Sequence, residues 1–139
     1  MAENASPADF NGTWKLESTS PNFEELLAAM NVNFVVRKAA ANVSPEITIK
    51  QDGDDFTIIM KVPLKTTEMK FKVGEEFKDK HPLKDEENQV LVTWDGNALV
   101  QKCVNNDKNP VLTRTIEDGK LVVKQKLGDI EAHRIFVKC

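Results

Sequence analysis

Glycines recur in this 139-residue chain at 53, 74, 96 and 119, at intervals of 21, 22 and 23 residues, three of them directly after aspartate. Such Asp-Gly pairs are strong turn formers. Each interval has room for two strands and a second turn. The second turns read as Val62-Pro63-Leu64, Asp85-Glu86-Glu87-Asn88 and Asn105 to Pro110. That places a strand about every ten residues, the signature of an up-and-down meander. Between turns the side chains alternate. Phe56, Ile58, Met60 and Val62 oppose Thr57 and Lys61; Met69, Phe71 and Val73 oppose Lys70 and Lys72; Leu121, Val123 and Leu127 oppose Val122, Lys124 and Lys126. Period two over so many segments means antiparallel strands with one face buried.

One stretch breaks this rhythm. Ser20-Pro21 reads as a cap followed by proline at the first helical position, with Glu24 and Glu25 in the first turn. Leu26, Leu27 and Met30 give an apolar helical face, Asn31 a left-handed stop, and Asn33 a cap for a second helix from Phe34 to Ala41. The expected fold is therefore all-β: a ten-stranded antiparallel up-and-down barrel, closed on itself, with a two-helix lid between the first two strands. One domain should span 1–139, with 1–8 a loose N-terminal extension.

Composition narrows the function. The net charge of −3 gives no basic footprint for nucleic acid. Residues 1–10 lack the charged and apolar regions of a signal peptide, and no apolar run reaches the length of a membrane span. Cys103 and Cys139 lack metal-ligand spacing and read as reduced thiols. There is no phosphate loop, CxxC or nucleophile elbow, His81 and His133 read as surface residues, and the acidic runs at 52–55 and 85–87 read as solvated turns. No metal and no cofactor are expected.

Two arginines stand out. In 111–117 the even positions are Leu112, Arg114 and Ile116; in 130–137 they are Ile130, Ala132, Arg134 and Phe136. Each arginine thus lies between apolar neighbours on the inward side, and Gln125 does the same between Val123 and Leu127. A buried guanidinium stays charged and is costly without a partner. Its own strand offers no inward acid. Two such groups in an apolar interior suit an anion carrying a long apolar tail. The alternative is that these faces turn outward, or that water and a distant glutamate satisfy the charges.

The chain resembles the intracellular lipid-binding proteins, the fatty-acid-binding and cellular retinoic-acid-binding proteins. The resemblance runs from Asp9 to the end. It rests on Phe10-Asn11-Gly12-Thr13-Trp14-Lys15-Leu16, Asn22-Phe23-Glu24-Glu25-Leu26-Leu27, Arg37-Lys38, Ile49-Lys50-Gln51-Asp52-Gly53-Asp54, Lys65 to Phe77, Asp118-Gly119-Lys120-Leu121 and the closing Arg134-Ile135-Phe136-Val137. It implies a non-covalent carrier rather than an enzyme, cytoplasmic and also nuclear, monomeric, with a fatty acid or retinoic acid inside. Transient contact with membranes or a nuclear receptor is implied as well.

The resemblance also assigns roles. Arg114 and Arg134 match the family's carboxylate-binding positions, where retinol-type members carry glutamine. Phe136 stands where the family has tyrosine, and this chain has no tyrosine at all. The expected cavity residues are Gln125, Phe136, Trp14, Leu16, Met60 and Phe71, and the expected portal residues are Phe34, Val35 and Leu64. Two other readings belong beside the carrier: an isomerase-like lipid-modifying enzyme, and a barrel acting mainly through surface residues such as Arg37 and Lys38.

Overall fold

The computed structural model describes residues 7–63, 65–80 and 86–139. Strand β1 (Gly12–Thr19) leads into helices α1 (Phe23–Ala29) and α2 (Phe34–Asn42). Then follow β2 (Glu46–Asp52), β3 (Asp55–Val62), β4 (Lys65–Lys72), β5 (Phe77–Lys80), β6 (Glu87–Asp95), β7 (Ala98–Cys103), β8 (Val111–Glu117), β9 (Lys120–Leu127) and β10 (Ile130–Lys138). The strands form one antiparallel sheet in the order β4-β3-β2-β1-β10-β9-β8-β7-β6-β5. Pairing of the first strand with the last curls the meander into a nearly closed barrel. Alternation makes the strands, and Asp-Gly makes their turns. Asp118 and Gly119 both take left-handed φ values, 53° and 76°, as the two-residue link between β8 and β9 requires.

Closure is incomplete where the glycine spacing predicted one more hairpin. β4 and β5, on either side of Gly74, are the two edges of the sheet rather than partners. The turn bonds elsewhere: Val73 N donates to Asp54 O at 2.9 Å, and Gly74 N to Val92 O at 2.8 Å. Aromatic packing spans this end of the gap, with Phe71 stacked on Phe77 at 5.3 Å and on Phe56 at 5.2 Å. The open edges carry outward lysines, Lys70 and Lys72 on β4, Lys78 and Lys80 on β5. Such charges oppose edge-to-edge association.

Two other expectations need correction. The turn expected at Asp85–Asn88 ends sooner, because β6 begins at Glu87 and buries Asn88 opposite Asp79. An inward polar residue had disguised the start of a strand; His81 and Asp85 lie outside the described residues. Nor does Ser20-Pro21 cap α1. Asn22 holds the cap position, while the Ser20 hydroxyl donates to Asn22 Oδ1 at 2.7 Å and accepts from His133 N at 2.9 Å. Ser20 thereby fastens the lid's entry to β10. Asn31 is left-handed as expected (φ 66°), and Asn33 caps α2 by accepting from Val36 N at 2.9 Å.

Apolar side chains gather in two clusters. One fills the end of the barrel around Phe10, Trp14, Phe56, Phe71, Leu99, Leu121 and Phe136. Trp14 Nε1 donates there to Phe10 O at 3.0 Å. The other joins Phe23, Leu26, Leu27, Met30 and Val32 of the lid to Ala132 of β10. Of the extension expected at 1–8, residues 1–6 lie outside the described residues, and the carbonyl of Ala8 accepts from Gln51 Nε2 at 2.9 Å.

Candidate functional site

Strand register brings the two arginines into one row. Arg114 lies opposite Leu99 on one side and Val123 on the other, and Val123 lies opposite Arg134. Two strand spacings of about 4.8 Å put their backbones about 10 Å apart on the inner wall. Gln125 sits one inward step along from Val123, opposite Leu112 and Ala132. Phe136 is the next inward residue after Arg134, opposite Leu16 and Leu121. The alternation therefore placed both arginines correctly, and both are buried, 7% and 8% exposed.

Their charges are only partly satisfied. Arg114 Nη1 donates to Gln101 Oε1 at 2.8 Å. Arg134 Nη2 makes a long bond, 3.4 Å, to the carbonyl of Ala40, and its guanidinium lies 4.1 Å from the ring centre of Phe23. The Nε of each arginine is buried with no acceptor. Neither forms an ion pair among the described residues. Burial lowers both guanidiniums from their usual range to about 10, which leaves them charged at neutral pH. An unpaired buried charge is among the costliest features a fold can carry. A carboxylate supplies what both lack: acceptor oxygens with matching charge.

The wall around them is apolar and incompletely packed. Leu16, Met60, Met69, Leu112 and Ile116 point inward, touch the core cluster, and are still only half-buried. Leu16, Met60 and Gln125 are the half-buried ones among the expected cavity residues. Trp14, Phe71 and Phe136 are buried in the packed cluster.

The family model of the lipocalin / cytosolic fatty-acid binding protein family matches residues 11–138. The chain belongs to that family. Fatty acid-binding protein homolog 7 of Caenorhabditis elegans is 36% identical over 94% of this chain and 96% of the relative. Cellular retinoic acid-binding protein 2 of Homo sapiens is 37% identical over 94% and 98%. Among solved structures, a mutant of the REP1-NXSQ fatty acid transporter superposes with a TM-score of 0.89 at 33% identity, covering 94% of this chain and 98% of that one. The recognised relatives are thus named for fatty acids and for retinoic acid alike.

Two of the expected portal residues sit at the start of α2. Phe34 and Val35 are 61% and 75% exposed, and Leu64 lies outside the described residues. Arg37 and Lys38 approach the Phe34 ring at 5.3 and 5.4 Å, so the tip is both apolar and cationic.

Besides Asn88, two inward polar residues escaped the sequence reading. Gln101 shares the face of buried Leu99, which alternation alone could have flagged. Asp79 shares the face of Phe77 on the edge strand, and burial raises its carboxyl. Its register partner is Asn88, on a different row from the arginines.

Proposed function

We propose that this protein is an intracellular carrier that holds one long-chain fatty acid or retinoic acid inside the barrel, without covalent chemistry. Arg114 and Arg134 receive the carboxylate, while Leu16, Met60, Gln125 and the neighbouring inward side chains contact the tail or head group. The observation that carries this reading is the pair of buried guanidiniums on one row, each with an Nε lacking an acceptor. The relatives' names support the same ligand class.

Magnitudes divide the work. A tail of about 16 methylenes gains at most roughly 13 kcal/mol on leaving water, at about 0.8 kcal/mol each. Lost ligand freedom removes much of it. A charge-assisted hydrogen bond adds about 1.5–3 kcal/mol net. The tail therefore supplies most of the affinity, and the arginines select the head group and its direction. Retinol-type ligands lack the charge that would offset two buried cations.

The ligand enters beside α2, past Phe34 and Val35, and the exposed apolar tip with Arg37 and Lys38 is where a donor or acceptor membrane would meet the protein. The carrier works as a monomer in the cytoplasm and also in the nucleus, where delivery to a receptor would occur. Mass spectrometry of lipid extracted from the purified protein tests the central reading. A long-chain or retinoid carboxylic acid is expected. Neutral lipids alone would contradict the assignment, and a chemically altered lipid would favour an enzyme.

A further inference from the structure

The residue two positions after Arg134 is a buried phenylalanine. Phe136 has neither donor nor acceptor with which to orient the guanidinium beside it. The contacts that do orient Arg134 come from the opposite direction, from the lid. Phe23 of α1 presents its ring at 4.1 Å, and the Ala40 carbonyl of α2 accepts from Nη2 at 3.4 Å. Arg114 differs: its partner is Gln101, on the neighbouring strand of the wall. The two head-group cations are therefore held by different parts of the molecule, one by the barrel and one by the helices.

We propose that the lid is a positioning element for the head-group site, with Phe23 and the Ala40 carbonyl fixing the Arg134 guanidinium in place of a hydroxyl at position 136. The proposal rests on the carboxylate reading above. It has a reciprocal half. No residue of α2, all of them described, is buried. Its apolar attachment is limited to half-buried Val36 and Ala40 against the lid cluster, and its polar attachments are Lys38 to Glu24 at 2.6 Å, Arg37 to Glu24 at 3.8 Å, Arg37 Nη1 to Val32 O at 3.1 Å, and Arg134 to Ala40 O. Among these polar contacts, the Arg134 bond is the one that reaches from α2 to the barrel wall. α1 has apolar anchors in Phe23, Leu26 and Leu27. A guanidinium fixed by the lid binds acid better, and acid bound to that guanidinium holds the lid, because coupling between two sites is mutual. A neutral head group makes no such demand and leaves the lid's state unread.

The test uses a sixteen-carbon fatty acid and the corresponding alcohol, titrated into the whole protein, Phe23→Leu and Phe23→Leu with Phe136→Tyr. Removing the ring should weaken acid binding about five- to thirtyfold, the worth of a desolvated cation–aromatic contact, while alcohol binding changes less than about twofold. Adding the tyrosine hydroxyl should regain about fivefold in acid binding, the worth of one hydrogen bond, and leave the alcohol unmoved. Equal loss for acid and alcohol in Phe23→Leu would overturn the proposal, since a mere wall residue behaves that way.

A second arm needs no ligand and does not depend on how Phe23→Leu folds. Amide hydrogen exchange over residues 37–42 should accelerate several-fold in Arg134→Gln and stay unchanged in Arg114→Gln. Unchanged exchange in Arg134→Gln would overturn the link between arginine and lid. Equal acid and alcohol binding by the native protein is a different failure: it would sink the carboxylate reading, while the exchange arm would still decide whether Arg134 holds α2.

Discussion

Arg114 and Arg134 have the same chemistry, yet they were legible in the sequence for one reason and are completed by groups that were not. Strict alternation with Leu112, Ile116, Ala132 and Phe136 exposes a charge on an apolar face. Gln101 obeys the same alternation beside Leu99, but a neutral amide does not stand out as a charge does. The Ala40 carbonyl could not have been read at all, because it is a backbone atom 94 residues away from its donor. Burial lowers both guanidiniums to about 10, still well above neutrality, so the protein side of acid binding is constant through the neutral range. Affinity for a fatty acid should be level from about pH 7 to 9. A steep fall below pH 9 in a titration series would point to another titrating partner. Phe136→Tyr should tighten acid binding by roughly 1 kcal/mol, the net worth of one hydrogen bond. A buried hydroxyl that finds no partner would instead cost about 1–3 kcal/mol, and direct titration of both proteins separates the outcomes.

At the scale of elements, the β4–β5 break shows what alternation cannot report. Inward and outward residues keep their rhythm through both strands, and Gly74 sits on the regular glycine spacing, so the sequence reads as one more hairpin. Only the absent ladder distinguishes it, and Phe56, Phe71 and Phe77 stack across that end instead. Phe71→Ala should therefore cost about 3–5 kcal/mol, the usual price of emptying a buried aromatic site. Urea unfolding would measure it, and a cost below about 1 kcal/mol would mean that the stack is incidental to closure. The helices were legible through Asn31 and Asn33, while the start of α1 was not, because Ser20 spends its hydroxyl on β10 and Asn22. Phe34 lies outside every core cluster, so Phe34→Ala should change stability by no more than about 0.5 kcal/mol. Stopped-flow mixing should show it altering ligand uptake and release more than equilibrium affinity. Unchanged rates with a large loss of affinity would place Phe34 on the bound tail.

The whole molecule joins an end packed around Phe10, Trp14 and Phe136 to a stretch of half-buried inward side chains that includes Leu16, Met60 and Leu112. That division was only partly legible. Turn spacing and period two gave the meander, but the pairing of β1 with β10 links residues over a hundred positions apart, and local patterns do not encode it. Ten strands and a helical pair suggest a barrel closed on itself; the β1–β10 register bears that out, while β4 and β5 stay unpaired. Consecutive pairing of β8, β9 and β10 sets both arginines on one row, each opposite Val123. The account therefore stands on head-group selection by that row. Calorimetric titration of a sixteen-carbon fatty acid and its alcohol into the native protein, Arg114→Gln and Arg134→Gln tests it most directly. The native protein should prefer the acid, and each substitution should remove about 1.5–3 kcal/mol of acid affinity while sparing the alcohol. Equal native affinity for acid and alcohol, or an acid preference that survives both substitutions, would contradict it.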